Sequence, residues 1–229
     1  MTDTRGPDAG KPDQPAFDAI HLPGFAARDP ARPLVVAIEG PNGAGKSTLC
    51  QMLSQKLKAP ACLGTDPAWF SSAFKERMIR EAEWYASAMF FLSGCFEQMR
   101  RLRGRPEPMV IMDRSLWSTL AVHAAAQGER LHALLSMLRP VAAHIQVPDL
   151  TLVLEASFAT CQSRIGRKSG MARALDELTA SPPFHEGEKA FYRWLGRELT
   201  TVKFLDVNNL APGEVAEGTL ALLRQTFRC

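Results

Sequence analysis

The residues Gly40-Pro41-Asn42-Gly43-Ala44-Gly45-Lys46-Ser47-Thr48 fit the pattern G-x-x-x-x-G-K-[ST]. Glycines at this spacing let successive backbone amides turn toward phosphate oxygens, and a helix beginning at the lysine adds the positive end of its dipole. Lys46 would neutralise the outer phosphates, and the Ser47 hydroxyl would ligate Mg²⁺. The chemistry implied is capture of a nucleoside triphosphate by Gly40, Asn42, Gly43, Ala44, Gly45, Lys46, Ser47 and Thr48.

Two further groups of charged residues belong with such a site. Asp113 follows the apolar run Met109-Val110-Ile111-Met112, and Arg114 follows it directly. A carboxylate at a strand end suits Mg²⁺, while the planar fork of an arginine matches phosphate oxygens. The alternative for Asp113 is a helix cap, and for Arg114 a surface ion pair. The segment Arg164-Ile165-Gly166-Arg167-Lys168-Ser169-Gly170-Met171-Ala172-Arg173 combines cations with glycines. It reads as a basic lid whose Arg164, Arg167 or Arg173 would reach the transferring phosphoryl group, or else as a solvated helix end. Aromatic residues, among them Trp69, Trp84, Phe91, Phe96 and Trp117, would supply either a stacking wall for a planar base or core packing. His123 reads as a packed helix residue, since in-line phosphoryl transfer needs no imidazole.

The elements that must hold these residues alternate between strand and helix from Pro33 onward. Leu34–Ile38 precedes the glycine loop as a strand, and leucines at helical spacing follow it. Candidate strands recur at 61–64, 109–112, 150–154 and 202–207. Helices are expected at 69–80, 82–102, 115–126, 131–145 with a break at Pro140, 186–199 after the punctuation of Pro182-Pro183, and 212–227. Such alternation implies an α/β fold, a five-stranded parallel sheet flanked by helices on both faces. Ligands of such sheets bind beyond the carboxyl ends of the strands, where the glycine loop and Asp113 both fall.

Composition sets the frame. The chain of 229 residues is 46% hydrophobic and 22% charged, ordinary for a globular protein, and its net charge of +3 gives little reason to expect a nucleic-acid partner. The five cysteines are odd in number and include no C-x-x-C pair, which argues against a disulfide framework and for a reducing compartment. No apolar run approaches a membrane span, and a secretory signal is not apparent, so a cytoplasmic setting is expected. Residues 1–32 are rich in Pro, Asp, Gly and Arg and are expected to form a disordered leader, docked at most through Phe17–Leu22, ahead of a P-loop domain over 33–229.

Three segments together resemble the thymidylate kinase family: Ile38-Glu39 with the glycine loop, Asp113-Arg114-Ser115, and Pro148-Asp149-Leu150-Thr151-Leu152-Val153-Leu154. The resemblance implies a P-loop NTPase fold with ATP and Mg²⁺ as cofactors, a small nucleotide or nucleoside-like acceptor, and a homodimer through the long helices. It makes Arg77 a candidate for the acceptor phosphate. It also marks departures at the acceptor end: Asn42 replaces an acid, Val122-His123 replaces Tyr-Gln, and Ala68 and Trp69 replace glycines. Other features are similar to deoxynucleoside kinases, including Asp66-Pro67-Ala68-Trp69, where Asp66 would act as a base on a sugar hydroxyl. Three readings result: transfer from ATP to a nucleoside monophosphate or related acceptor, a nucleoside kinase using Asp66, or an ATP-binding protein without catalysis.

Overall fold

The computed structural model describes residues 17, 19–65, 70–167 and 174–227. In chain order the elements are β1 (Leu34–Glu39), α1 (Lys46–Leu57), β2 (Ala61–Leu63), α2 (Ser72–Arg80), α3 (Trp84–Arg101) and β3 (Met109–Asp113). They continue with α4 (Leu116–Ala126), α5 (Gly128–Leu138), β4 (Leu150–Glu155), α6 (Phe158–Gly166), α7 (Ala174–Leu178), α8 (Pro182–Glu198), β5 (Val202–Asp206) and α9 (Pro212–Phe227). The five strands pair in the order β2-β3-β1-β4-β5, every pairing parallel. Ile38 of β1 lies opposite Asp113 of β3, so the glycine loop and the Asp-Arg pair leave the sheet at the same carboxyl end of its strands.

Side chains of a strand alternate between faces, and β1 divides accordingly. Val36 and Ile38 pack with Leu49 and Leu53 of α1 and Ala216 and Leu220 of α9. Val35 and Ala37 point the other way, toward Met99 of α3 and Leu102 just after it. On that second side α3, α4, α5 and α8 enclose a larger core around Trp117, Phe191 and Trp194.

Two expectations need correction. Residues 19–32 are packed rather than disordered: Arg32 is buried in an ion pair with Asp149 at 2.6 Å, Trp194 donates to the Ile20 carbonyl at 3.2 Å, and Ala26 donates to Ile145 at 3.1 Å. Phe17 is buried against Phe191 and Trp194. Helix α8 begins at Pro182, not Glu186. Proline tolerates a first helical turn because its missing N–H has no intrahelical partner there, and Ser181 caps the turn by accepting from the Phe184 amide. The break expected at Pro140 is present: α5 ends at Leu138, and a 3-10 turn over Arg139–His144 follows it.

Candidate active site

The glycine loop holds its shape by close backbone approach. Gly40, Gly43 and Gly45 have φ of 124°, 86° and 105°. A Cβ at Gly40 would sit 2.4 Å from the Leu154 carbonyl oxygen, and one at Gly43 would sit 2.5 Å from that of Cys161. Lys46 is buried, its Nζ donating to the carbonyls of Gly40 at 2.8 Å and Pro41 at 2.6 Å. Burial, then the neighbouring Arg114, lower its pKa to about 7, while Glu188 and Asp113 act in the opposite sense. The loop from Asn42 to Thr48 lines a cavity of about 510 Å³, closed on its far side by Arg164, Arg167, Val207 and Leu210. Ser47 and Thr48 are exposed there.

Arg164 of α6 spends its guanidinium on main chain, donating to Ala44 at 3.0 Å and Val207 at 2.7 Å. It braces the loop against the end of β5. Arg167 stands exposed on the same wall, and Arg173 lies outside the described residues.

Asp113 and Arg114 occupy the boundary between this cavity and a second one of about 750 Å³. Both line the second cavity, and Arg114 also lines the first. Arg114 has φ of 68°, its amide donates to Ile38 at 3.1 Å, and its guanidinium donates to the Ser118 hydroxyl at 3.3 Å. Asp113 is buried, and the helix cap proposed for it is made by Ser115, whose hydroxyl accepts from Trp117. Its carboxylate is thereby left to the cavity.

Beneath this turn lies a residue whose role the motif did not reveal. Glu39, wholly buried, accepts from the amide and hydroxyl of Ser115, both at 2.7 Å, from the Ser118 hydroxyl, and from Tyr192 at 3.0 Å. Burial pushes the Glu39 carboxyl up; hydrogen bonds from Ser118 and Ser115 and the charge of Arg114 pull it down. The chain Arg114–Ser118–Glu39 orients the guanidinium through one intermediate hydroxyl. Glu188 of α8 is a second buried acid beside Lys46 and Arg114, held up at about 7 chiefly by burial. Its position on the apolar stripe Phe184–Phe191–Leu195 was the available sequence signal.

The second cavity is walled by Lys75, Glu76 and Ile79 of α2, Trp84, Ser87, Phe91 and Cys95 of α3, Ser118, Thr119, Val122 and His123 of α4, and Leu175 and Leu178 of α7. Three contacts draw α7 over it. Asn42 donates to Asp176 at 2.6 Å, the Ala174 amide donates to Glu76 at 2.7 Å, and Arg80 pairs with Glu177.

Two expected residues are not brought here. Arg77 is exposed, pairs with Glu81 at 3.3 Å, and does not line the cavity; on a helix whose inward positions are 75, 76 and 79, residue 77 turns to solvent. Phe96 packs half-buried against the large core, one position beyond the inward stripe Ser87–Phe91–Cys95. Asp66 and Trp69 lie outside the described residues.

The thymidylate kinase family model matches residues 38–207, spanning every element just described from β1 to β5. The chain belongs to the thymidylate kinase family. Among solved structures, a thymidylate kinase from Candida albicans superposes with a TM-score of 0.60 at 20% identity, covering 86% of this chain and 93% of that one. A deoxyadenosine kinase from M. mycoides with bound dATP gives 0.64 at 18% identity, covering 83% and 100%. No curated protein sequence matches the chain. The family makes this protein a nucleotide or nucleoside kinase. At these identities the solved structures carry the fold, a parallel α/β P-loop architecture, and no more.

Proposed function

We propose that the protein transfers the γ-phosphoryl group of ATP to a nucleoside monophosphate or a related nucleoside-like acceptor. The observation that carries the reading is the placement of Arg114, which lines the phosphate-loop cavity and the second cavity alike. A guanidinium at that junction stabilises charge on a phosphoryl group in passage between them. Lys46, released from its two carbonyls, would follow the outer phosphates, with Arg167 supporting them from the opposite wall.

Mg²⁺ fits the oxygen donors present. The exposed Ser47 hydroxyl and the Asp113 carboxylate border adjoining cavities, and among the described residues no cluster of three or more metal-ligating side chains forms a cage of its own. A hard ion held by one or two protein oxygens plus substrate phosphates is the usual arrangement for Mg²⁺. Bound there, it would neutralise charge on the triphosphate. Dimerisation along α3 belongs to the same proposal and is checked by light scattering.

Lys46→Ala is expected to abolish ATP-dependent transfer while leaving the fold intact; undiminished activity would sink the assignment. A second reading, phosphorylation of a sugar hydroxyl, is favoured by the acceptor cavity itself. Its described cations are Lys75, Arg114 and Arg130, against the carboxylates of Glu76, Glu81, Glu83 and Asp113, and Arg77 faces away. A phosphate monoester needs positive clamps, whereas a hydroxyl needs a base. Asp66→Asn separates the two: it cripples a nucleoside kinase and spares a monophosphate kinase.

A further inference from the structure

We propose that the segment from Phe17 to Arg32 is a tie that positions Arg114 for phosphoryl transfer, with Phe25 acting on it through Trp117. The inference rests on the reading above, in which Arg114 stabilises the group in passage. The orientation of Arg114 depends on α4, since its guanidinium donates to the Ser118 hydroxyl and Ser118 donates to Glu39. Glu39 also accepts from Tyr192 of α8 at 3.0 Å, so both helices must keep their places for one carboxylate to hold them. Trp117 precedes Ser118, and Phe191 precedes Tyr192; both rings are buried in the larger core. Phe17 belongs to that core, and Ile20, Leu22 and Phe25 pack against it.

Aromatic contacts join the tie to both helices. The Phe25 ring meets Trp117 edge to face at 5.6 Å. Phe17 lies 5.9 Å from Trp194 and 6.5 Å from Phe191, and the Trp194 indole donates to the Ile20 carbonyl at 3.2 Å. The other end is anchored to the sheet. Arg32 pairs with Asp149 at 2.6 Å, and the same carboxylate accepts from the Val35 amide of β1 at 2.7 Å. Between the ends, the Ala26 amide donates to Ile145 at 3.1 Å. The segment thus runs from α8 across α4 to the start of β1, the strand whose last residue is Glu39. An edge-to-face pair prefers particular ring angles and separations, so Phe25 sets where Trp117 sits as well as covering it. Ordering such a segment costs conformational entropy that its contacts must offset. A shift of the first turn of α4 would carry Ser118, and with it the Arg114 guanidinium, away from the reacting group.

The test measures steady-state kinetics across nucleosides and nucleoside monophosphates, well below the melting temperature of each variant. Phe25→Ala should lower kcat for the preferred acceptor about five- to tenfold and leave the KM for ATP within about twofold. Phe25→Leu, which keeps most of the volume, guards against misfolding and should show a smaller loss of the same kind. Leu223→Ala, in the core on the opposite face of the sheet, should lower the melting temperature as Phe25→Ala does, by roughly 5–10 °C, with kcat within about twofold of the parent. In a Ser118→Ala background, where Arg114 has lost its partner on α4, Phe25→Ala should cost no more than about twofold further, because the tie acts through that contact. A kcat for Phe25→Ala within about twofold of the parent overturns the proposal. So does a kcat loss matched by Leu223→Ala, or one that persists undiminished in the Ser118→Ala background. Failure of the unaltered protein to phosphorylate any panel member would overturn the kinase reading itself, and the role of the tie with it.

Discussion

Gly64→Ala should damage catalysis without touching a reacting group. Gly64 follows β2, is buried, and donates its amide to the Asp113 carbonyl at 3.1 Å. An added Cβ would lie 2.5 Å from the Arg114 carbonyl oxygen and 3.0 Å from its carbon. Real Cβ atoms essentially never approach within 3.0 Å and ordinary contact begins at 3.4 Å, so the two backbones must part by about 0.5–0.9 Å. The Arg114 turn is poorly placed to yield, because its amide is bonded to Ile38 and the next amide to Glu39. Overpacking of this kind costs about 1–3 kcal/mol, hence a melting temperature lower by roughly 2–10 °C. A misplacement of ~1 Å near the reacting atoms can cost about a hundredfold, so kcat should fall some ten- to a hundredfold. ATP affinity should change little, since the glycine loop lies on a different strand connection. The assay is steady-state ADP release with a nucleotide or nucleoside acceptor, run beside Gly24→Ala, where an added Cβ meets nothing within 4 Å. A Gly64→Ala protein with kcat within twofold and an unshifted melting temperature would refute the argument.

Three other outcomes follow from the geometry. Glu39→Gln sets an amide among four donors, so it should lose about 1–3 kcal/mol in urea unfolding and lower kcat with ATP KM unchanged; wild-type kinetics would count against the Arg114–Ser118–Glu39 chain. His123, held near pKa 4 when folded against 6.5 for the free side chain, contributes stability that is complete above pH 6.5 and lost as pH falls toward 4. Up to about 3 kcal/mol is at stake, and urea melts of the parent and His123→Gln from pH 7 to 4.5 should converge or cross as the parent weakens. Asn42→Asp would put a carboxylate at the position that now donates to Asp176 at 2.6 Å. Repulsion there should loosen α7, seen as faster hydrogen exchange over 174–178 and a higher acceptor KM; exchange as slow as in the parent would mean that Asn42 does not hold the helix.

Much of the donor side could be read directly from the sequence. Gly40, Gly43 and Gly45 serve backbone conformations that side-chain-bearing residues rarely adopt, and such needs leave marks at fixed spacing. Asp113 likewise announced itself by ending an apolar run. Arg77 and Phe96 misled for a common reason: spacing along the chain placed each on the expected helix but left its rotational phase undetermined. That phase is set by what the helix packs against, α7 and α3 for α2, and α4 for α3. Arg164 lies where the basic lid was expected, and its donors are taken by the carbonyls of Ala44 and Val207. Glu188 was overlooked because an acid on a helix usually marks the solvent face; here it marks a position where burial is offset by Lys46 and Arg114.

The same contrast explains why the family is easier to read from this sequence than the acceptor. On the proposed reading, phosphate would be gripped largely by main-chain amides and by a turn whose shape Gly64 and Glu39 enforce, so substitutions elsewhere would scarcely alter it. The acceptor wall is instead assembled from side chains of α2, α3, α4 and α7, one or two from each turn, and any of them can change without disturbing the sheet. Asn42 stands between the two halves. It occupies the phosphate loop, yet its amide is committed to Asp176 on the helix that covers the acceptor cavity. An acid there would repel that helix and would need a cation or a hydroxyl from the acceptor to compensate. With the amide, α7 can close on the loop without drawing on the substrate. Discrimination would then be left to the wall itself, where His123 lies beside Trp84.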